Sequence, residues 1–431
     1  MTDTRITGLL GRRVWDSRGR PTVEVEVTLG GNSVGRAMAP AGASTGSGEA
    51  LDLRDGGTAF GGYDVRRAVS AVNGEIAGAL VGLEAAEQED LDQLLIELDG
   101  TPGRTRLGGN ALVATSMAVL NARAAAHGVP LWRFLAGSDA VRIPLPEIQI
   151  FGGGAHAGRR VDIQDFMVMC PEAPSFSDAL DWTAEIYREA GAILGQTGRL
   201  QGVADEGGYW PAFRSNEEAL DALVASIKAA GLRPGRDAVI SLDVAASELH
   251  RDGRYRLALD GRDLDTGGMI EMLSRWIEDY PIVSVEDPLA EDDAAGFKAF
   301  TDLHGTRCQV VGDDYLVTNA HRVQDAAREA VLNAVLIKPN QAGTVTEARA
   351  ALMAGRRAGF GTIVSARSGE TEDVTIAHLA VGWDAGQLKV GSFSRSERMA
   401  KWNECLRIEE TMGSSARFAG WSVLPRGLPR P

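Results

Sequence analysis

The sequence predicts an α/β protein in two parts: a small N-terminal α+β domain over residues 1–135, then an eight-stranded β/α barrel over residues 136–431. Three observations carry this. First, short β-branched runs each end in a charged residue: VISLDV at Asp243, PIVSVED at Glu286 and Asp287, QVVGDD at Asp313 and Asp314, AVLIK at Lys338, TIVSAR at Arg367, and QLKVG around Lys389. Continuous apolar runs mark parallel strands buried on both faces, and in a (β/α)8 barrel the C-terminal strand ends converge on one mouth. Second, the ends from Asp243 through Glu286, Asp313 and Lys338 to Arg367 are 43, 27, 25 and 29 residues apart, the length of a strand, loop and helix. Third, 431 residues exceed the about 250 of such a barrel, which leaves an N-terminal remainder for a second domain.

The elements follow in order. Strands fit residues 4–15 and 22–29, where TVEVEVTLG alternates apolar and polar residues and DSRGRP supplies the turn. SAVNGEIAGALVG, EDLDQLLIELDG and NALVATSMAVLNARAAAHG carry helical apolar spacing, each closed by a glycine. VRIPLPEIQI, with two prolines, reads as the crossing into the barrel. Helical patterns at Ser215–Gly231 and Ala320–Ala330 alternate with the strands. Two glycine-rich stretches, PAGASTGSGEA at 40–50 and FGGGAHAGRR at 151–160, fit neither period; long ordered loops of this kind serve as lids or anion cradles. The terminal RGLPRP reads as a loose tail.

Composition narrows the function. With 44% hydrophobic residues, 24% charged residues and 52 glycines, the chain is globular with many tight turns. A net charge of −15 argues against nucleic acid and anionic membranes as partners, so an anionic small-molecule substrate needs a local positive pocket. Cys170, Cys308 and Cys405 form no CxxC pair and read as reduced and structural. No signal-like start and no 18-residue apolar run occur, which points to a cytoplasmic protein. Three carboxylates meeting two lysines at one mouth, without Cys or paired His, suit a hard divalent cation, Mg²⁺ above all.

The stretches WDSRGRPTVEVEV, GASTG, GGAHAG, DEGG, SVEDPLAEDD, SGETED, RSERMAKWN and RIEE resemble, in unchanged order along nearly the whole chain, those of the enolases, the glycolytic 2-phosphoglycerate dehydratase family. The resemblance implies the same two-domain fold, with a barrel whose first strands depart from the simple βα repeat. It implies that Asp243, Glu286 and Asp313 bind a tightly held Mg²⁺, and that a second Mg²⁺ binds at the lid near Ala41 and Ser44. Lys338 would be the base that removes the C2 proton. Glu206, with Asp165 beside it, would be the acid that assists departure of the C3 hydroxyl. Lys389 would meet the substrate carboxylate, and His156, Gln164, Arg367 and Ser368 would hold the rest of a small phospho-acid. Loss of a proton α to a carboxylate gives a dianion that concentrated positive charge must stabilise. Cationic neighbours should lower the pKa of Lys338 and acidic ones raise that of Glu206. A homodimer is also implied, through the pairs Arg12 with Glu397 and Glu24 with Arg407.

Three positions depart from the family pattern. The lid SGAST reads AGAST, with Ala41 for serine; SHRSGE reads SARSGE, with Ala366 for histidine; QEFM reads QDFM, with Asp165 about one bond length shorter than glutamate. The metal ligands, base and acid all stand, while groups around the leaving hydroxyl and lid have changed. That selectivity points to a specialised paralogue. It would form a phosphoenolpyruvate-like product from 2-phosphoglycerate or a related phospho- or phosphono-acid, as carboxyphosphonoenolpyruvate synthase does. The alternatives are an ordinary glycolytic enolase and a noncatalytic binding protein on the same frame.

Overall fold

The computed structural model describes residues 3–425, so the RGLPRP segment lies outside the described residues. Strands β1 (Ile6–Trp15), β2 (Pro21–Leu29) and β3 (Val34–Met38) form an antiparallel sheet in that order. The alternation in TVEVEV is the cause of its sidedness: Val23, Val25 and Val27 are fully buried, while Glu24 and Glu26 turn to Arg12 and Arg36 on the other face. The short VGRAM strand, which carries a glycine, was not legible as β3. The SAVNGEIAGALVG pattern is helical but holds a π turn at Val72–Ile76. There the Asn73 amide accepts from Gly11 N (2.8 Å) and donates to Gly11 O (2.9 Å), fastening the helix to β1. Helix α1 (Gln88–Asp99) ends at Gly100, whose φ of 69° favours glycine.

Helix α2 (Gly109–Ala126) is buried around almost its whole circumference, as its lack of a polar stripe requires. It lies on β2 and β3, and the closest approach is at Gly35. A Cβ there would sit 2.1 Å from Ala122 N and 2.2 Å from Ala118 O.

Eight strands close the barrel: β4 (Leu145–Gly152), β5 (Asp165–Met169), β6 (Val239–Asp243), β7 (Ile282–Glu286), β8 (Gln309–Gly312), β9 (Ala334–Ile337), β10 (Gly361–Ser365) and β11 (Gly386–Ser392). They pair in that sequence and β11 returns to β4. All pairings are parallel except those of β5, which runs antiparallel to β4 and β6. VRIPLPEIQI is therefore not merely a crossing but contains the first barrel strand. Its prolines fall at the strand's beginning, where a missing N–H removes few ladder bonds.

The helices are α3 (Phe176–Gln196), α4 (Asn216–Ala229), α5 (Thr266–Asp279), α6 (Ala294–His304), α7 (Ala320–Glu329), α8 (Val345–Ala358), α9 (Thr375–Gly382) and α10 (Ser396–Met412). The first six start where Ser175, Ser215, Asp265, Asp293, Asn319 and Thr344 accept a first-turn N–H.

The two domains share buried bonds. Asp92 on α1 accepts from Thr346 N (3.0 Å) at the start of α8, Ser116 on α2 accepts from Val345 N (3.0 Å), and Asp373 accepts from Met38 N (2.9 Å). Cys170, Cys308 and Cys405 are buried and free, and burial pushes the first two thiols up to about 12. Among the described residues, no helix is long and apolar enough to cross a membrane.

The contact at Gly35 yields a prediction. Gly35→Ala should destabilise the protein by about 1–3 kcal/mol through overpacking, seen as a lower urea midpoint with unchanged slope. An unchanged midpoint would show that α2 can move aside.

Candidate active site

Strand register delivers the charged residues to one level. Asp165 lies opposite Asp243, Asp243 opposite Glu286, and Ser365 opposite Lys389. Asp313 and Lys338 follow directly on the ends of β8 and β9, and Arg367 follows β10 after Ala366. Lys389 Nζ donates to Asp243 Oδ2 (2.9 Å) and Glu286 Oε2 (2.8 Å) and lies 3.7 Å from Asp165 Oδ2. Burial opposes its charge, but Asp243, Glu286, Asp165 and Glu147 outweigh that and hold its pKa well above the ordinary lysine value. Glu286, buried and repelled by Asp243, is held well above the usual carboxyl range despite Lys389.

Lys338 makes an ion pair with Asp313, whose other oxygen accepts from Gln341 Nε2 (2.9 Å). Burial is the largest single influence on Lys338 and lowers its pKa, but attraction to the surrounding acids, Asp313 first and then Glu286, turns the net direction upward. The expected fall is thus not a property of these side chains alone. Asp313, although buried, is held below its ordinary value by Lys338 and Arg367.

The acid side is built by the 151–160 loop and the DEGG turn at 205–208. Glu206 occupies the turn between strands Leu200–Val203 and Tyr209–Pro211, where Gly207 takes a φ of 94° that permits the tight reversal. Asp205 N donates to His156 O (3.1 Å), tying this turn to the 151–160 loop. His156 Nδ1 lies 3.0 Å from Asp165 Oδ1 and Nε2 lies 3.8 Å from Glu206 Oε1, so the imidazole bridges two acids. Burial disfavours the imidazolium, yet Asp165 and then Glu206 raise its pKa to about 9. Burial would raise Asp165, but His156 and then Lys389 bring it to about 2. Gln149 Nε2 also donates to Asp165, and Gln164 Nε2 donates to Asp243 Oδ2 (3.1 Å).

The 40–50 loop covers the mouth. Arg367 Nη2 donates to Ser44 O (3.0 Å), and Nη1 donates to Glu49 Oε2 (2.9 Å) and Asn340 Oδ1 (3.0 Å). Ala41 exchanges backbone bonds with Gly369, and its carbonyl also accepts from Arg18 Nη2 (2.8 Å). Arg18 Nη1 donates to Ser368 Oγ (3.2 Å). One cavity is bounded by Ser44, His156, Gln164, Asp165, Glu206 and Asp243 together with Lys338, Ala366, Arg367, Ser368 and Lys389, so the structure brings most of the sequence-derived site residues to a single space. Glu286 and Asp313 stand behind it through their lysine pairs, and Ala41 is outside its wall.

Sequence reasoning missed Glu49, Gln149 and Glu147. Glu49 ends a loop already marked as unusual. Glu147 and Gln149 interrupt the apolar run PLPEIQI at alternate positions, which is the spacing of one strand face.

The donor set fits a hard cation. Buried Glu286 Oε1 and Asp165 Oδ2 have no hydrogen-bond partner, so acceptor capacity remains beside the one ammonium. Asp287, Asp313 and Asp314 form a further buried acidic group, in which Asp287 accepts from Asp313 N (3.0 Å) and Asp314 N (2.8 Å). Burial and then Asp313 push Asp314 up to about 8.

Comparison with protein families matches residues 6–135 to the enolase N-terminal domain and residues 140–426 to the enolase C-terminal TIM barrel domain. The chain belongs to the enolase family. It carries the frame of an enolase-superfamily enzyme, and the Mg²⁺ dependence general to enolases accords with the acidic groups at this barrel mouth.

The His156–Asp165 pair makes a pH prediction. Because His156 is raised from 6.5 to about 9, its contribution to stability is complete below 6.5 and is lost as pH rises through about 9. Because Asp165 is lowered from 3.8 to about 2, its contribution is present above 3.8 and lost as pH falls through about 2. In the metal-free protein, imidazole NMR should therefore show His156 protonated at neutral pH with a midpoint near 9. A midpoint at the ordinary histidine value would refute the triad as described.

Proposed function

We propose that this protein is a Mg²⁺-dependent carbon–oxygen lyase that removes the C2 proton of 2-phosphoglycerate or a related phospho- or phosphono-acid. The product is phosphoenolpyruvate-like. The observation that carries the reading is the placement of Lys338, Glu206, Lys389 and Arg367 around one cavity whose acidic wall has unpartnered oxygens. Asp243, Glu286 and Asp313 would hold the cation, which supplies charge against the dianion formed at the substrate carboxylate. Lys338 takes the C2 proton, once an anion and cation have relieved its pair with Asp313. Glu206 delivers a proton to the departing hydroxyl, and His156 and Asp165 hold that side of the cavity. Lys389 meets the substrate carboxylate, while Arg367 and Ser368 receive the phosphorus group after Glu49 gives way.

A specialised substrate is favoured over the glycolytic one by Ala366. It lines the cavity beside Arg367 and offers only a methyl group where the family pattern has an imidazole, so a larger phosphorus substituent would meet less bulk there once the cavity opens. An ordinary glycolytic enolase is the second reading. The chain is also proposed to form a homodimer. The support is the match of the pairs Arg12 with Glu397 and Glu24 with Arg407 to the family pattern; within one chain Arg12 pairs with Glu24 and Glu26, and Glu397 Oε1 lies 3.6 Å from Arg398 Nε. Light scattering should give twice the chain mass, and a monomer mass at micromolar concentration would refute this.

The deciding assay follows Mg²⁺-dependent formation of phosphoenolpyruvate from 2-phosphoglycerate by absorbance, with solvent-deuterium exchange at C2 followed by NMR. Exchange with little elimination is the outcome expected of the specialised enzyme. Turnover near the enzyme median of about 10 per second would instead establish the glycolytic reading. Lys338→Ala should reduce exchange by about 10²–10⁴-fold, and exchange that persists unchanged would remove Lys338 from the role of base.

A further inference from the structure

The barrel interior is not uniform below the site. Beneath Lys338 lies an apolar cluster of Val311, Ala334, Leu336 and Ile363. Beneath Lys389 the interior is polar: Glu147, Ser241 and Ser284 are all buried there. Ser241 lies opposite Ser284, two residues before Asp243 and Glu286 respectively, so this layer sits directly under the proposed cation site. Glu147 is 1% exposed and is paired in register with Lys389 across β4 and β11. One of its oxygens accepts from Ser241 Oγ; the other, Oε2, has no partner.

A buried carboxylate without a cation is costly: burial holds Glu147 above the ordinary carboxyl range, and attraction to Lys389 is the largest influence against it. Asp165 is nearer to the Lys389 ammonium, but it already has His156 as its own counter-charge. The ammonium meanwhile occupies Asp243 Oδ2 and Glu286 Oε2, the oxygens that a divalent cation would need. Binding of the cation therefore requires the lysine to yield them without becoming an unpaired buried charge.

We propose that Glu147 is a positioning residue for Lys389, offering the free oxygen to which the ammonium turns when a divalent cation takes Asp243 and Glu286. The inference rests on the reading of those two carboxylates as cation ligands. It assigns a role to a carboxylate one layer below the cavity, in contact with neither substrate nor metal.

The test is calorimetric titration of Mg²⁺ into the full chain without substrate, for the unaltered protein, Glu147→Gln, Lys389→Met and the double variant. Glu147→Gln should weaken Mg²⁺ binding by about 10-fold or more, the range seen when outer partners of metal sites are removed. In the Lys389→Met background the same change should have little effect, because Glu147 acts through the lysine. Equal fold-losses in both backgrounds, or no loss in the unaltered background, would overturn the inference while leaving the cation site in place. No Mg²⁺ binding by the unaltered protein would overturn the cation site and this inference together. Thermal unfolding without metal checks that the variants are folded. If Glu147→Gln is not, Glu147→Asp keeps the charge but shortens its reach, and unchanged Mg²⁺ affinity in that variant would also overturn the inference.

Discussion

Lys389 stands at the centre of a charge balance on which the rest of the barrel mouth depends. Its ammonium faces Asp243, Glu286, Asp165 and Glu147, all buried, and no second cation contacts the Asp243–Glu286 pair among the described residues. A cluster of carboxylates in a low-dielectric interior is tolerated only when each charge is matched or left protonated. The neighbouring pairs extend the same accounting around the mouth: Lys338 with Asp313, His156 with Asp165, and Arg367 with Glu49. Acid exceeds base beside Lys389, and Asp287, Asp313 and Asp314 form a second buried acidic group on the Lys338 side.

The N-terminal domain matters to this balance because it supplies the lid. The lid leaves β3 at Met38, where Asp373 holds the backbone, and it is fixed again at Ala41 by Gly369 and Arg18. Further along, Glu49 meets Arg367 and Gln341, and Gln341 also donates to Asp313. The Glu49 carboxylate is thus linked through Gln341 to the Lys338–Asp313 pair. An anion reaching Arg367 would have to compete with Glu49 for its guanidinium, so such binding would loosen the tie between this loop and the barrel.

Much of this was legible in the sequence, for a definite reason. Strands buried on both faces must be apolar throughout, so Asp243, Glu286, Lys338 and Arg367 stood out as polar residues at the ends of apolar runs. The same rule hid β4, because PLPEIQI breaks its run with Glu147 and Gln149 and opens with prolines. Those two polar residues are inside the barrel, where Ser241 and the Gly208 amide satisfy them in part. The Glu49–Arg367 pair was hidden for another reason: 318 residues separate its members, and no local pattern encodes such a contact. The pKa direction of Lys338 also depends on partners brought by the fold, since burial lowers it and only Asp313 together with other acids such as Glu286 turns it upward.

The three departures from the family pattern act differently once the geometry is considered. Ala41 lies outside the cavity wall, and its carbonyl is already engaged by Gly369 N and Arg18, so its missing hydroxyl does not enlarge the space. Asp165 is held at the wall by His156 and Gln149, and a side chain one bond shorter there keeps its carboxylate closer to β5. Ala366 alone replaces a large side chain on the cavity wall, next to the arginine that would hold the phosphorus group. Altered chemistry at the leaving hydroxyl would therefore act through Asp165 and His156, while altered substrate size would act through Ala366. In strand order the two positions fall on opposite sides of Lys389, with Ala366 after β10 on the side of Lys338 and Asp165 on β5 on the other.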